Sequence, residues 1–339
     1  MPPHTLRLLS RDNGVGLSRD LRLLASAFAT PDVAVDAVAF DPDRRACRRR
    51  EAALWGRRLL HGRVDVQVSV ERVHRRCLPL ARRNVLVPNP EWLLDKWRPL
   101  LHRFDAVWCK TRHAQRIFDA LGCPTRYIGF TSDDRREADV PRERAFFHLA
   151  GASATKGTRV LLDAWLRHPE WPRLTVVQSP RMAGVPVRAP NLDHRIAYLD
   201  DATLRRLQNA HRFHLCPSET EGFGHYLVEA MSVGAVVLYT DAEPMDELLD
   251  PRCGVPVAAS DAGPMRLARR HAVDVASIEG AVAHVLALSD AQCDALGAAA
   301  RARFESQRIG FHARLPLALG DVLAPRNAPA RADALSQER

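Results

Sequence analysis

The sequence predicts an α/β protein of two doubly wound parallel sheets facing each other across a cleft. Three observations carry this. Short apolar runs alternate with stretches of helical spacing along almost the whole chain, the pattern of parallel strands covered by helices. The 339 residues exceed what one hydrophobic core usually supports, so two domains are expected. The segment TSDDRREADVPRERA, at 131–145, is charged, poor in large apolar residues and broken by Pro141, which suits an interdomain linker.

The first series opens with LRLLS at 6–10, the glycine-bearing loop RDNGVGL, and SRDLRLLASAF, a helix that Ser18 would cap. VAVDAVAF, VDVQVSV, NVLVPN and FDAVWCKT read as further strands, and EWLLDKWRPLLHRF and RHAQRIFDALG as helices between them. The second series runs FFHLA, the helix TRVLLDAWLRH, LTVVQS, RIAYL, the helix ATLRRLQNA, FHLCPS, the helix HYLVEAMSV closed by Gly234, AVVLYT and GVPVAA. Ser277 is read as the start of another helix, and Ser289 with Gln292 forms a capping-box pattern for the next. The expected organisation is two Rossmann-like domains, residues 1–140 and 141–305, a cross-over helix at 306–320 and a flexible tail at 321–339. Ligands of such sheets bind beyond the carboxyl ends of the strands, so the loops after LRLLS, NVLVP, FFHLA and FHLCP are the places to search.

With 46% apolar and 26% charged residues the chain has the material of a soluble globular protein. It has no stretch of eighteen apolar residues and no secretory pattern at its start, so a cytoplasmic, non-spanning protein is expected. Cys47, Cys77, Cys109, Cys123, Cys216, Cys253 and Cys293 are scattered and never spaced C-x-x-C, which suggests neither a disulfide framework nor a zinc site. The net charge of +9 favours an anionic partner: a nucleotide diphosphate, an anionic lipid surface or nucleic acid. Lysine occurs only at Lys96, Lys110 and Lys156, so each is a candidate for a specific role.

The richest segment is CPSETEGFGHYLVEAM. An apolar strand ends at Pro217, a loop with two acids and two glycines follows, and a helix opens near His225. Free N–H groups of that first turn and the helix dipole favour an anion. Gly222 and Gly224 allow close backbone approach. Glu221 precedes the helix and Glu229 lies on its second turn, so the pair can touch opposite ends of one extended polar ligand.

The spacing E-x7-E within PSETEGFGHYLVEAMSVGAVVLYTDAEPMDEL resembles the donor-site signature of glycosyltransferase family 4, over about residues 146–258. The resemblance implies the GT-B fold and retaining transfer of a hexose-type sugar from a nucleotide-sugar donor, with a UDP-sugar expected, no cofactor and no bound metal. By position it implies that Glu221 holds sugar hydroxyls and Glu229 the ribose, with the amides of Phe223, Gly224 and His225 near the sugar and diphosphate. GASATKGTRVLLDAW resembles the family's strand end and lysine-glycine pair, which gives Lys156 the task of neutralising the diphosphate as the glycosidic bond breaks. The family's usual arginine is missing there, Ala152 and Ser153 standing in its neighbourhood.

The loop RDNGVGLSRD fits the family's first glycine loop, implying Asn13 beside the acceptor and Gly14 and Gly16 beside the donor. A dinucleotide-binding fingerprint would need a third glycine where Arg19 stands. In VPNPEWLLDKW, Asn89 and Glu91 occupy the acceptor region where many members have a histidine, and Glu91 is read as orienting the acceptor or, equally, as the first-turn acid of a helix. Lys110 and Thr111 follow the next strand and could face the cleft. RIAYLDD looks like the strand and loop that receive the base, with Ile196 at its border and Tyr198 more readily a core residue. His211 and His214 lie at strand spacing, so one of them should face outward. DPDRRACRRREAALWGRRLL is a basic helix that either packs Trp55 inward or rests on an anionic membrane at the inner face.

The sequence thus reads as a transferase whose acceptor is a carbohydrate, a lipid or another hydroxyl compound. A sugar-nucleotide epimerase of the same fold, and a non-catalytic protein binding RNA or another anion, are the alternatives. Nucleic acid is disfavoured because the basic residues lack interleaved aromatic platforms.

Overall fold

The computed structural model describes residues 3–11 and 16–325, and the fold is as expected. Among these residues each half of the chain carries one six-stranded, wholly parallel sheet. The first holds β1 (His4–Arg11), β2 (Val33–Phe40), β3 (Val64–Val70), β4 (Ala81–Val87), β5 (Ala106–Cys109) and β6 (Thr125–Tyr127), in the order β2-β1-β3-β4-β5-β6. The second holds β7 (Glu143–Gly151), β8 (Leu174–Gln178), β9 (Leu192–Ile196), β10 (His211–Cys216), β11 (Val236–Thr240) and β12 (Val255–Val257), in the order β12-β11-β10-β7-β8-β9.

Strand order fixes where a ligand can enter. It reverses between β1 and β3 in the first sheet and between β7 and β10 in the second, and loops diverging at such a switch leave a crevice. The loops after β7 and β10 carry Lys156 and Glu221.

Strands covered on both faces need continuous apolar runs. Leu8, Val68, Val85, Leu86 and Val107 accordingly have no exposed surface. Helices α1 (Gly16–Phe28), α2 (Arg44–His61) and α3 (Arg112–Ala120) cover the first sheet, and α4 (Thr158–Arg167), α5 (Asp201–Ala210), α6 (His225–Ser232), α7 (Met245–Leu248) and α8 (Val275–Ala287) the second. The last, α9 (Asp290–Leu323), starts from a complete capping box of Ser289 and Gln292. It packs on α6 and β11 of one half and on α1 and β3 of the other. Its Phe304, Phe311 and Leu315 lie in one apolar cluster with Leu6, Leu24 and Trp108 of the first half and Tyr226, Val237 and Leu249 of the second, so a single core joins the halves.

Several local expectations are corrected. The helix expected from SRDLRLLASAF begins at Gly16, which puts Ser18 inside its first turn instead of at the cap. EWLLDKWRPLLHRF forms two 3-10 segments, Pro90–Trp92 and Asp95–Arg103, not an α-helix: Pro99 removes an amide donor and its ring crowds the preceding turn. Asp274 caps α8 by accepting from the Ser277 amide at 2.7 Å, so Ser277 lies inside the helix. β9 starts at Leu192 and ends at Ile196, which leaves Tyr198 66% exposed, not in the core. His211 and His214 are both buried, because β10 lies mid-sheet with cover on each face; they bond Thr175 Oγ1 and the Gln208 carbonyl. The hairpin of β13 (Ser260–Met265) and β14 (Ala268–Ala272) had no counterpart in the sequence reading.

In the linker, Thr131, Ser132 and Arg135 are buried, and the Arg135 Nε donates to Gln208 Oε1 at 2.8 Å. On α2, Leu54 is buried and Trp55 half-buried, its Nε1 donating to the Arg76 carbonyl, while Leu59 and Leu60 are 85% and 80% exposed. No helix among the described residues is long and apolar enough to cross a membrane. Asn13, Gly14 and the tail beyond residue 325 lie outside the described residues; Gly16 is the first residue of α1.

Candidate active site

Two loops of the second domain meet over its switch point. The Glu219 amide donates to the Thr155 carbonyl at 2.8 Å, which ties the β7–α4 loop to the β10–α6 loop. Lys156 is thereby held with its Nζ 2.5 Å from Glu221 Oε1 and 3.4 Å above the centre of the Tyr226 ring. Ser218 Oγ donates to the same carboxylate oxygen at 2.5 Å. Both charged side chains are about one-seventh exposed, at 15% and 14%. A cation so desolvated and pinned acts on a nearby phosphate with little reorganisation.

The loop closes on α6 through Gly224, whose φ of 91° suits a residue without a Cβ and which offers no side-chain cap. Gly224 is the N-cap and His225 the first residue of α6, so the first-turn amides of this helix have no capping side chain to occupy them. Gly222 is required by close approach: a Cβ there would come within 2.5 Å of the Asn89 side chain of the first domain.

Glu229 is wholly buried. One carboxylate oxygen accepts from Arg19 of α1, the other from Gln208 Nε2 at 2.8 Å. The sequence marks Arg19 only as standing where a dinucleotide fingerprint would need a third glycine. Beside it, Asp20 joins the domains: its carboxylate accepts from Lys110 Nζ at 2.5 Å and faces His225 Nε2 at 2.7 Å. Burial alone would raise the Asp20 pKa, but the charge of Lys110 and the His225 bond outweigh it and hold it at about 2. Lys110 also donates to Asn89 Oδ1 at 3.0 Å, and Asn89 Nδ2 donates to Glu71 Oε2 at 2.9 Å. Lys110 is thus in the cleft, while Thr111 caps α3 by accepting from the Ala114 amide.

Glu91 sits in the first 3-10 segment, 3% exposed, with its Oε2 buried and unpartnered among the described residues. Burial pushes its carboxyl from an ordinary 4.5 up to about 8, with the charges of Glu221 and Glu71 acting the same way, so it is neutral at pH 7. The fold then binds a proton that the unfolded chain releases, so this contribution to stability is full below about 4.5 and is lost as pH rises through about 8. Urea unfolding at stepped pH should show that decline in the wild type and a flatter profile in Glu91→Gln. Superimposable profiles would refute the assignment.

A cavity of about 550 Å³ opens beside the Lys156 loop, walled by Ser153, Gly157, Gln178, Met182, Pro217 and Glu219. Ile196 pairs with Gln178 in the sheet but does not line it, and the Tyr198 hydroxyl accepts from Ser179 Oγ at 2.9 Å. Among the described residues no group of three His, Cys, Asp or Glu could hold a metal ion.

Residues 144–288 match the family described as Glycosyl transferases group 1. This match lies in the second domain and covers less than half of the chain. The whole chain is similar in structure to the sucrose-phosphate synthase of Thermosynechococcus elongatus (TM-score 0.72, 14% identity, covering 94% of this chain and 98% of that one). It is also similar to Anabaena HepE, solved in complex with UDP (TM-score 0.69, 14% identity, 94% and 100% covered), and to a glycosyltransferase from Rickettsia africae (0.67, 12%, 96% and 100%). At such identities these likenesses establish the GT-B fold. A sequence search of curated proteins finds no match.

Proposed function

We propose that this chain is a retaining glycosyltransferase that moves a hexose from a UDP-sugar to a hydroxyl acceptor, with Lys156 and the amides at 223–225 drawing off the charge of the departing diphosphate. The observation that carries the reading is the pinned Lys156–Glu221 pair at the open first turn of α6, on the switch point of the second sheet. Glu221 would hold sugar hydroxyls and Glu229 the ribose. A UDP donor is supported by HepE, a protein of the same fold solved with UDP-glucose.

Retention needs no dedicated protein base if the leaving phosphate oxygen takes the acceptor proton. Glu91, neutral at pH 7, then has a hydrogen to donate and suits a group that orients the acceptor beside Asn89. Arg19 reaches this side of the cleft from the other domain, but its charge is met by Glu229 and Asp133, so the diphosphate is left to Lys156 and the loop amides. Thermal shift against UDP, GDP, ADP and dTDP sugars tests the donor class. The right donor at a hundredfold its Kd should stabilise by about 2.7 kcal/mol, and no shift with any of them would sink the reading.

The acceptor is a carbohydrate, a lipid or another hydroxyl compound. The exposed Leu59 and Leu60 among the arginines of α2 fit peripheral contact with an anionic membrane. Sedimentation with phosphatidylglycerol vesicles, but not phosphatidylcholine ones, is the expected result. Equal partitioning with both would exclude the electrostatic contact.

A further inference from the structure

Away from the Lys156 loop, a second cavity of about 270 Å³ lies between β5 and β6 of the first domain, α7 of the second and the middle of α9. Its wall includes Lys110, Arg112, Tyr127, Arg303, Gln307 and Arg314. Lys110 is neutralised by Asp20. The three arginines have no carboxylate within ion-pair distance among the described residues: Arg112 donates to Gln115, Arg303 to the carbonyls of Glu247 and Leu248, and Arg314 to the carbonyl of Ile128. The one acid on the wall, Glu247, is fixed by accepting the Arg112 and His113 amides at the start of α3, and its single charge faces three arginines.

Arg314 is held in place by more than one bond. Its guanidinium lies 4.9 Å from the centre of the Tyr127 ring, with that of Arg112 at 4.0 Å from the same ring. A Cβ on Gly129 would meet its Nη2 at 2.5 Å, and one on Gly310 its Nη1 at 2.7 Å, so both flanking positions are kept clear for it. Burial, with the charge of Arg112, holds the Arg314 pKa below the usual arginine range. A divalent anion would relieve this crowding of like charge. Gln307 adds a second requirement: its Nε2 donates to Leu248, which leaves its Oε1 buried without a donor.

We propose that this cavity binds a small phosphorylated polyol, the phosphate held by Arg112, Arg303 and Arg314 and a hydroxyl donating to Gln307. The volume falls below the roughly 300–1,000 Å³ of sites for drug-sized ligands, which suits a small ligand better than a nucleotide sugar. Phe130, on the same wall, meets Phe223 of the donor loop edge-on at 5.2 Å, so occupancy can be felt at the donor site.

The test titrates the full chain with inorganic phosphate, glucose and glucose 6-phosphate by calorimetry, with UDP as the control for an intact fold. Glucose 6-phosphate should bind more tightly than either fragment, without competing with UDP. The double variant Arg112→Gln/Arg314→Gln should weaken it at least about tenfold, the loss expected of one charge-assisted hydrogen bond, and leave UDP binding unchanged. Transfer of labelled sugar onto the phosphorylated compound would mark the ligand as acceptor, and a changed donor turnover without incorporation would mark it as effector; either supports the site. Absent binding, equal binding by the double variant, or competition with UDP overturns it.

Discussion

Lys156→Ala should lower sugar transfer about 10²–10³-fold while leaving UDP affinity within a few-fold of wild type. The reason is geometric. The ammonium is fixed between the Glu221 carboxylate and the Tyr226 ring, in a loop tied by the Thr155–Glu219 backbone bond, so its field is already in place when negative charge gathers on the leaving diphosphate. A group whose effect grows in the transition state lowers kcat and kcat/KM together when removed. Since Ala152 and Ser153 stand in the neighbourhood where the resemblance implies a second cation, this lysine should bear more of the work than one half of a pair would. Glu221→Gln should also reduce transfer, by loss of the sugar contact and by release of the lysine from its fixed position. Near-normal turnover in both folded variants would remove the mechanism.

Asp20→Asn should destabilise the protein by about 3–5 kcal/mol, because Lys110 is then left as a buried charge without its counterion. The pair is 2–3% exposed, so water does little to screen the loss. Removing both charges, as in Asp20→Asn/Lys110→Met, should recover much of it, which separates the unpaired charge from a simple packing defect. The pH dependence has a definite sign. With a folded pKa of about 2 against an ordinary 3.8, the Asp20 contribution is present above about 3.8 and disappears as pH falls through about 2. Asp20→Asn should lack that acid-side decline, and chemical denaturation at stepped pH reads it directly. Because the same carboxylate faces His225 at the head of α6, the variant should also loosen the closed arrangement of the two domains.

What the sequence revealed and what it hid follow from range. Glu221, Glu229, Phe223, Gly224 and His225 lie within one strand–loop–helix segment, and Lys156 within another, so local chemistry exposed them. The partners that complete the site are remote: Arg19 and Glu229 are 210 positions apart, Asp20 and His225 205, and Asp20 and Lys110 90. Nothing in the spacing of Asp20 marks it as buried, and Lys110 stands out by the rarity of lysine and its place after a strand, neither of which points to Asp20. The alternating strands were legible because continuous apolar runs in a parallel sheet leave little ambiguity. EWLLDKWRPLLHRF misled because its apolar spacing is helical while Pro99 forbids the hydrogen bonds. His211 and His214 misled because strand alternation implies an outward face only where one face meets solvent, and β10 has none.

Whether Glu221 and Glu229 span one nucleotide sugar is tested most directly by calorimetric titration with UDP and UDP-glucose. Wild type should bind both; Glu229→Ala should weaken both alike, by about tenfold or more, and Glu221→Ala should weaken UDP-glucose while sparing UDP. Wild-type protein that binds neither ligand, or variants that bind both as wild type does, would contradict it.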